Sequence, residues 1–255
     1  MTVSRDKIIK FCEEYLQVNK FADYCHNGLQ IEGAEKIEKI IIGVSFSEAL
    51  IKEAINKKAQ MIIVHHGLFT KDIATPPEIN GYLKNRLKLL LSNDINLAGF
   101  HLPLDAHAVI GNNISLAKLF GLKNIKPIDT PDYGQIGFVG DFSISKLFSD
   151  FTEEVNKKLD TKSYVIATGP KRISRLGIIS GGASTDYVEA VKMKADTYLC
   201  GDIREGLVER IKETKINFIN AGHYNTEKLG IKNLGKLIAK RFKVKVEFVD
   251  IPCDV

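Results

Sequence analysis

A chain of 255 residues, 44% apolar and 26% charged with seven prolines, can bury a sizeable core and is too apolar for extended disorder; its length suits two compact α/β lobes as well as one large domain. Its formal charge of +5 is dispersed over pairs such as Lys57-Lys58 and Lys240-Arg241. That is compatible with a small anionic substrate and lacks the dense basic stripe of a nucleic-acid reader. The four cysteines, at 12, 25, 200 and 253, form no Cys-x-x-Cys pair, and no stretch approaches the roughly 20 apolar residues that span a bilayer, so reduced structural thiols in a cytoplasmic protein without membrane association are expected.

In chain order, residues 5–18 place Ile8, Ile9, Phe11, Cys12, Tyr15 and Leu16 near helical spacing, and Asn27-Gly28 then supplies a turn before a short strand at 29–31. The β-branched run 39–44 predicts a buried strand, and Ser45 with Glu48 has the pattern of a capping box opening a helix through Lys58. A second buried strand, 61–64, ends directly at His65-His66-Gly67; an amphipathic helix at 84–91 and a third strand at 95–100 bring the chain to His101.

The second half replays this order. At a constant offset of 136, Ile178-Ile179-Ser180 falls on Ile42-Gly43-Val44, Glu189-Ala190 on Glu53-Ala54, and the strand 197–200 on 61–64. Gly201-Asp202 then stands where the first copy has His65-His66, and Ile216-Asn217 precedes His223 much as Ile95-Asn96 precedes His101, one residue longer. The expectation is an α/β fold of two related lobes from an internal duplication, with parallel sheets flanked by helices and a metal site in the cleft between the lobes. Residues 1–125 form the first lobe, completed by 230–255, and 126–229 the second; the proline- and glycine-containing segment 124–140 is the natural place for the change of lobe, and a final strand at 244–249 can pair with either.

The chemistry lies where those strands end. His65-His66, His-x-x-x-Asp at His101 and Asp105, and His-x-x-x-Glu at His223 and Glu227 are six side chains able to bind metal, at strand-to-loop junctions where α/β sheets gather ligands. In the turn after a buried strand both adjacent histidines can swing toward one pocket, and a helical turn puts residues four apart on one face. Each piece has a blander reading, since a lone His-x-x-x-Asp serves equally as a capped helix start and paired histidines near a turn equally as local hydrogen-bond formers; their joint placement in two repeated units favours the metal. Nitrogen and oxygen donors without thiolate favour zinc, iron, manganese, cobalt or nickel over magnesium or calcium. Two such ions roughly 3.5–4 Å apart would generate hydroxide at neutral pH and polarise an electrophile, the logic of hydrolases and cyclohydrolases.

Other candidates are weaker. His26 fits local hydrogen bonding, and His107 fits a supporting or substrate contact. The loop Ser180-Gly181-Gly182-Ala183-Ser184 sits where backbone amides can hold a phosphate, or is only a tight turn; Asp202, Arg204 and Glu205 either line the same cleft or are surface charges. No Gly-x-Ser-x-Gly elbow or paired catalytic cysteine is present.

Together, Asn27-Gly28-Leu29-Gln30, Val64-His65-His66-Gly67, His101-Leu102-Pro103-Leu104-Asp105-Ala106-His107, Gly111-Asn112-Asn113, and Ala221-Gly222-His223 with Glu227 resemble the GTP cyclohydrolase I type 2 family, also called the Nif-three-like or dinuclear metal centre family, nearly end to end in its short form. The resemblance implies two related α/β lobes, two divalent metal ions per chain and a ring-shaped homohexamer. It implies His65, His66, Asp105, His223 and Glu227 as metal ligands, Glu227 as the bridge, and His101 beside the metals as a ligand or catalytic proton shuttle. The activity it suggests is metal-dependent hydrolysis of a nucleotide or related heterocycle, a metal-bound hydroxide attacking carbon 8 of a guanine ring. The alternative is a non-catalytic metal-binding protein whose ring serves regulation or assembly.

Overall fold

The computed structural model describes residues 2–70 and 77–253. It divides into two compact units, one formed by 1–104 with 231–251 and the other by 105–230 with 252–255.

The first unit is built on a five-stranded sheet in the order Lys245–Phe248, Lys39–Ser45, Met61–His66, Asn96–Gly99, Gly28–Ile31. The first four strands are parallel and the last runs antiparallel at the edge. Lys39–Ser45 carries the run Ile40-Ile41-Ile42-Gly43-Val44, buried throughout, as expected of an inner parallel strand covered on both faces. Against one face, the helix Glu48–Asn56 contributes Leu50, Ile51 and Ala54 to a core shared with Ile41, Ile62, Val64, Leu90 and Leu97. This helix opens two residues later than the Ser45 capping box predicts: Ser47 is the N-cap, its Oγ accepting from the amide of Leu50, while Ser45 remains in the strand. The final strand, which the sequence left free to join either sheet, pairs in register with Lys39–Ser45.

The second unit holds a six-stranded sheet in the order Lys123–Thr130, Gly134–Leu147, Arg172–Ile178, Thr197–Cys200, Asn217–Asn220, Tyr164–Ala167. Only the three strands from Arg172 to Asn220 are mutually parallel; the others are antiparallel, so the expected parallel sheet is here a parallel centre with antiparallel flanks. The segment 124–140, read from sequence as a change of lobe, is instead largely a hairpin within this sheet. The helix Asn112–Leu119 belongs with it, because Leu116, Ala117, Phe120 and Leu122 pack with Phe142, Phe151, Leu176 and Ile219. The unit accordingly begins at Asp105, earlier than the boundary after 125 suggested by the sequence. Among the described residues, no helix is long and apolar enough to cross a membrane.

Both sheets are tied at the amino ends of their central strands by the same side-chain bonds. Gln60 Oε1 accepts from the amides of Glu38 and Lys39 (3.0 Å each), and 136 residues on, Asp196 Oδ2 accepts from those of Ser174 and Arg175 (2.7 and 3.1 Å). Asn96 Oδ1 accepts from Gly33 N and its Nδ2 donates to Ala34 O, both at 2.8 Å; Asn217 does the same to Gly169 N and Pro170 O, at 3.0 and 2.9 Å. Both asparagines are buried, and their side-chain amides find their own partners in the backbone of the partly exposed segments 33–34 and 169–170.

Candidate metal centre

In the first unit, His65 and His66 close the strand Met61–His66 rather than lying in the turn beyond it. Their ring centroids are nevertheless 4.6 Å apart, and that of His101, two residues past the neighbouring strand Asn96–Gly99, lies 5.0 and 5.5 Å from them. A ligand nitrogen from each of the three falls within 4.8 Å of the others, so the group can hold a metal ion. Burial at 1% exposure and a 2.9 Å bond to the Phe100 carbonyl orient His65. Since a carbonyl can only accept, Nδ1 carries the hydrogen and Nε2 the lone pair, the arrangement by which metal-binding imidazoles are commonly held. His66 Nδ1 is 3.2 Å from Ser45 Oγ, on the adjacent strand.

His101 is fixed by a residue that sequence reasoning did not single out. Its Nδ1 lies 3.0 and 3.2 Å from the two carboxylate oxygens of Asp23, 78 residues earlier, while its amide donates to Asn27 Oδ1 at 2.7 Å. The amides of Cys25 and Leu102 and the Asn27 carboxamide also donate to Asp23. Burial works to raise the Asp23 pKa, yet the bonds from His101, Asn27 and Cys25 together hold it below the ordinary carboxylate value. Although Asp23, Cys25 and His101 also cluster within ligand distance, this carboxylate's acceptor sites are occupied by those donors, which suits it to orienting the imidazole. With Nδ1 so engaged, His101 presents Nε2, 3.5 Å from the Tyr24 hydroxyl. The motif Asn27-Gly28-Leu29-Gln30 thus has a local reason. Asn27 holds the His101 backbone, and Gln30 accepts from Leu68 N and fills the space that a Cβ on Gly67 or Gly99 would need.

In the second unit, Asp105, His223 and Glu227 occupy a bonded framework. Asp105 is buried and its Oδ1 accepts from Asn112 Nδ2 (2.8 Å) and Ser180 Oγ (3.2 Å). Asn112 Oδ1 in turn accepts from Gly230 N, and Asn113 spans from Ser180 N to the Ile136 carbonyl. The helix His223–Thr226 starts after Gly222 at φ 86°, and the four-residue spacing brings His223 Nε2 to 3.2 Å from Glu227 Oε1. The His223 side chain is 40% exposed, whereas that of Glu227 is 3%.

The glycine loop is explained by these neighbours. A Cβ on Gly181, whose φ is 69°, would collide with Glu227 Oε1, and one on Gly201 would stand 2.7 Å from His223 Cα. Gly181 N donates to Thr226 Oγ1, Ser180 N to Asn113, and Ser184 N to Asp202 Oδ1. Three loop amides are therefore committed to side chains of the protein, which favours the tight-turn reading over a phosphate cradle. Asp202 accepts from both the amide and the hydroxyl of Ser184, and Arg204 stands 3.9 Å from it. His26 bonds locally to Leu29 O, and His107 Nδ1 accepts from the amides of Val109 and Ile110 in its own turn.

Paired α/β sheets with imidazoles and carboxylates at their strand ends define a class of metal-associated α/β proteins. The profile of the Duf34/NIF3 (NGG1p interacting factor 3) family matches residues 3–254, and the chain belongs to that family. It is 41% identical to the GTP cyclohydrolase 1 type 2 homolog of Haemophilus influenzae over 92% of this chain and 93% of the relative, and 36% identical to that of Escherichia coli over 94% of each. Among solved structures, protein ybgI, titled as of unknown function, superposes with a TM-score of 0.93 at 34% identity, covering 99% of this chain and all of the other. Reduced HcgD from Methanocaldococcus jannaschii superposes with a TM-score of 0.85 at 27% identity, covering 98% and 99%.

Proposed function

We propose that this protein is a divalent-metal-dependent hydrolase acting on a nucleotide or related heterocycle, with His65, His66, Asp105, His223 and Glu227 as ligands to two ions and His101 as the proton-transfer group. The observation that carries the reading is the trio of imidazoles in the first unit, with His65 fixed by a carbonyl and His101 by a carboxylate. Two oriented side chains in so small a volume suit ion binding better than a satisfied polar core. The donor set of imidazole and carboxylate suits zinc, iron, manganese, cobalt or nickel. Bound ions would supply Lewis acidity and make water ionise near neutral pH.

The chain's own residues supply the rest. Asp23 holds His101 in one tautomer, so that Nε2 faces outward as a proton acceptor or, once protonated, a donor. Asn112 and Ser180 hold Asp105 in one rotamer by donating to the same oxygen. The relatives' name, GTP cyclohydrolase 1 type 2 homolog, supports a purine nucleotide as the first substrate to try. The family resemblance also supports a homohexamer.

Metal analysis of the purified, metal-replete protein tests this directly. About two ions per chain are expected, falling sharply in folded His65→Ala and Glu227→Ala variants. A metal-free wild type would sink the proposal, as would a metal-loaded protein that releases neither formate nor any other product from nucleotides. Light scattering on the same preparation should give the mass of six chains, and a monomeric mass would remove the ring from the reading.

A further inference from the structure

A pocket of about 580 Å³ opens in the second unit beside the turn that carries His223, and none of its lining residues takes part in the metal-binding groups described above. Asp160, Lys162, Tyr164, Asn220, Asn225 and Cys253 line it, and Gly222 forms part of its wall. We infer that it is a purine-nucleotide subsite. The choice of purine rests on the function proposed above, whereas the pocket and its chemistry do not.

The volume lies within the range of small-ligand sites. Tyr164 opens the edge strand Tyr164–Ala167, directly across from Asn220, and at 47% exposure it offers a ring on which a base can stack. Asn220 Oδ1 accepts from the Gly222 amide at 2.9 Å, so the group it offers a ligand is the Nδ2 donor, suited to the N7 and O6 acceptors of a guanine edge. The carboxylate of Asp160 is complementary to the N–H donors on the same base, and Lys162 to a phosphate. Gly222 adopts φ 86°, and a Cβ there would stand 3.0 Å from Asn225 Nδ2, so the glycine lets the strand turn tightly between the pocket and His223. The subsite thereby lies one residue from a proposed metal ligand.

Cys253 provides a reporter independent of catalysis. It is exposed, whereas Cys12, Cys25 and Cys200 are buried, so a maleimide reacts with the folded protein at Cys253 alone. Guanosine monophosphate should slow that reaction in a saturable manner in the full-length protein, before and after metal removal by a chelator. Tyr164→Ala should raise the half-protecting concentration by about tenfold, and Tyr164→Phe, which keeps the ring, should leave it close to wild type. Undiminished reaction at saturating nucleotide, equal protection by inorganic phosphate alone, or protection indifferent to Tyr164→Ala would each overturn the subsite. Protection in a protein that binds no metal would leave the subsite standing and remove the metal reading; two bound ions without protection would do the reverse.

Discussion

The two units use the same bonds at the amino ends of their strands and different residues at the carboxyl ends. Gln60 and Asp196 do one job with a neutral amide and a carboxylate respectively, and Asn96 and Asn217 share a second pair of bonds, to which Asn96 adds one from Nδ2 to the Gln60 carbonyl. At the opposite ends, His65-His66 of the first unit answers to Gly201-Asp202 of the second. The glycine follows from local crowding, because the backbone of His223 lies against Gly201. The comparison teaches that the architecture is specified at one end of each sheet, leaving the other end open to divergent chemistry.

The largest expected effect comes from forcing the second unit to copy the first. Gly201→His would place a Cβ 2.7 Å from His223 Cα and 2.9 Å from the Gly181 carbonyl, backbone atoms that no rotamer change can move. We expect a loss of about 3 kcal/mol in urea unfolding; wild-type stability would mean that the two strand ends are interchangeable after all.

Next come the paired asparagines. Asn96→Ala and Asn217→Ala each remove a buried carboxamide that bonds one backbone amide and one carbonyl of a partly exposed segment, and each should cost about 1–2 kcal/mol by the same measurement. An inequality larger than the single extra bond from Asn96 Nδ2 to the Gln60 carbonyl would break the equivalence.

The smallest effect concerns Asp186, which at the 136-residue offset answers to the buried Leu50 of the first unit. Burial, reinforced by the charges of Asp132, Glu189 and Asp202, pushes its pKa up to about 6. Because the folded state holds this proton more tightly than the unfolded chain, its contribution is fully present below the ordinary carboxylate value near 3.8 and is lost as pH rises through about 6. Asp186→Leu should therefore flatten the stability profile between those values and raise stability at pH 7 by about 1 kcal/mol once solvent screening is allowed for. An unchanged profile from melting curves across that range would remove Asp186 as its source.

How far the sequence could be read follows from the same physics. The apolar runs at 39–44 and 61–64 announced buried strands, and the 3.6-residue period of 5–18 announced the opening helix, found at Arg5–Leu16. The six motif side chains were visible because each motif begins at or just past the end of a short apolar strand, at 61–66, 96–99 or 217–220. Asp23 was not, since its contact with His101 is made by folding across 78 residues and no local periodicity encodes it. Nor could the hairpin at Lys123–Thr130 and Gly134–Leu147 be separated from a linker, because Pro127 and the glycines at 134, 137 and 140 give the same signal in both settings. The glycine loop allowed both a phosphate cradle and a plain tight turn for a similar reason: its composition shows that a tight turn is possible, and only the partners of its amides show what the turn is for.

The first unit is completed by residues 231–251, after all of the second but its last four residues has been traversed. As a ribosome releases the chain, Lys39–Ser45 emerges early with its outer edge open, and the strand that covers it, Lys245–Phe248, is almost the last to appear. The second unit, nearly continuous in sequence, has its sheet complete before then. Synthesis thus imposes an order in which the younger segment folds first and the older one waits, exposing an Ile-rich edge that is an aggregation hazard in any product truncated before residue 245.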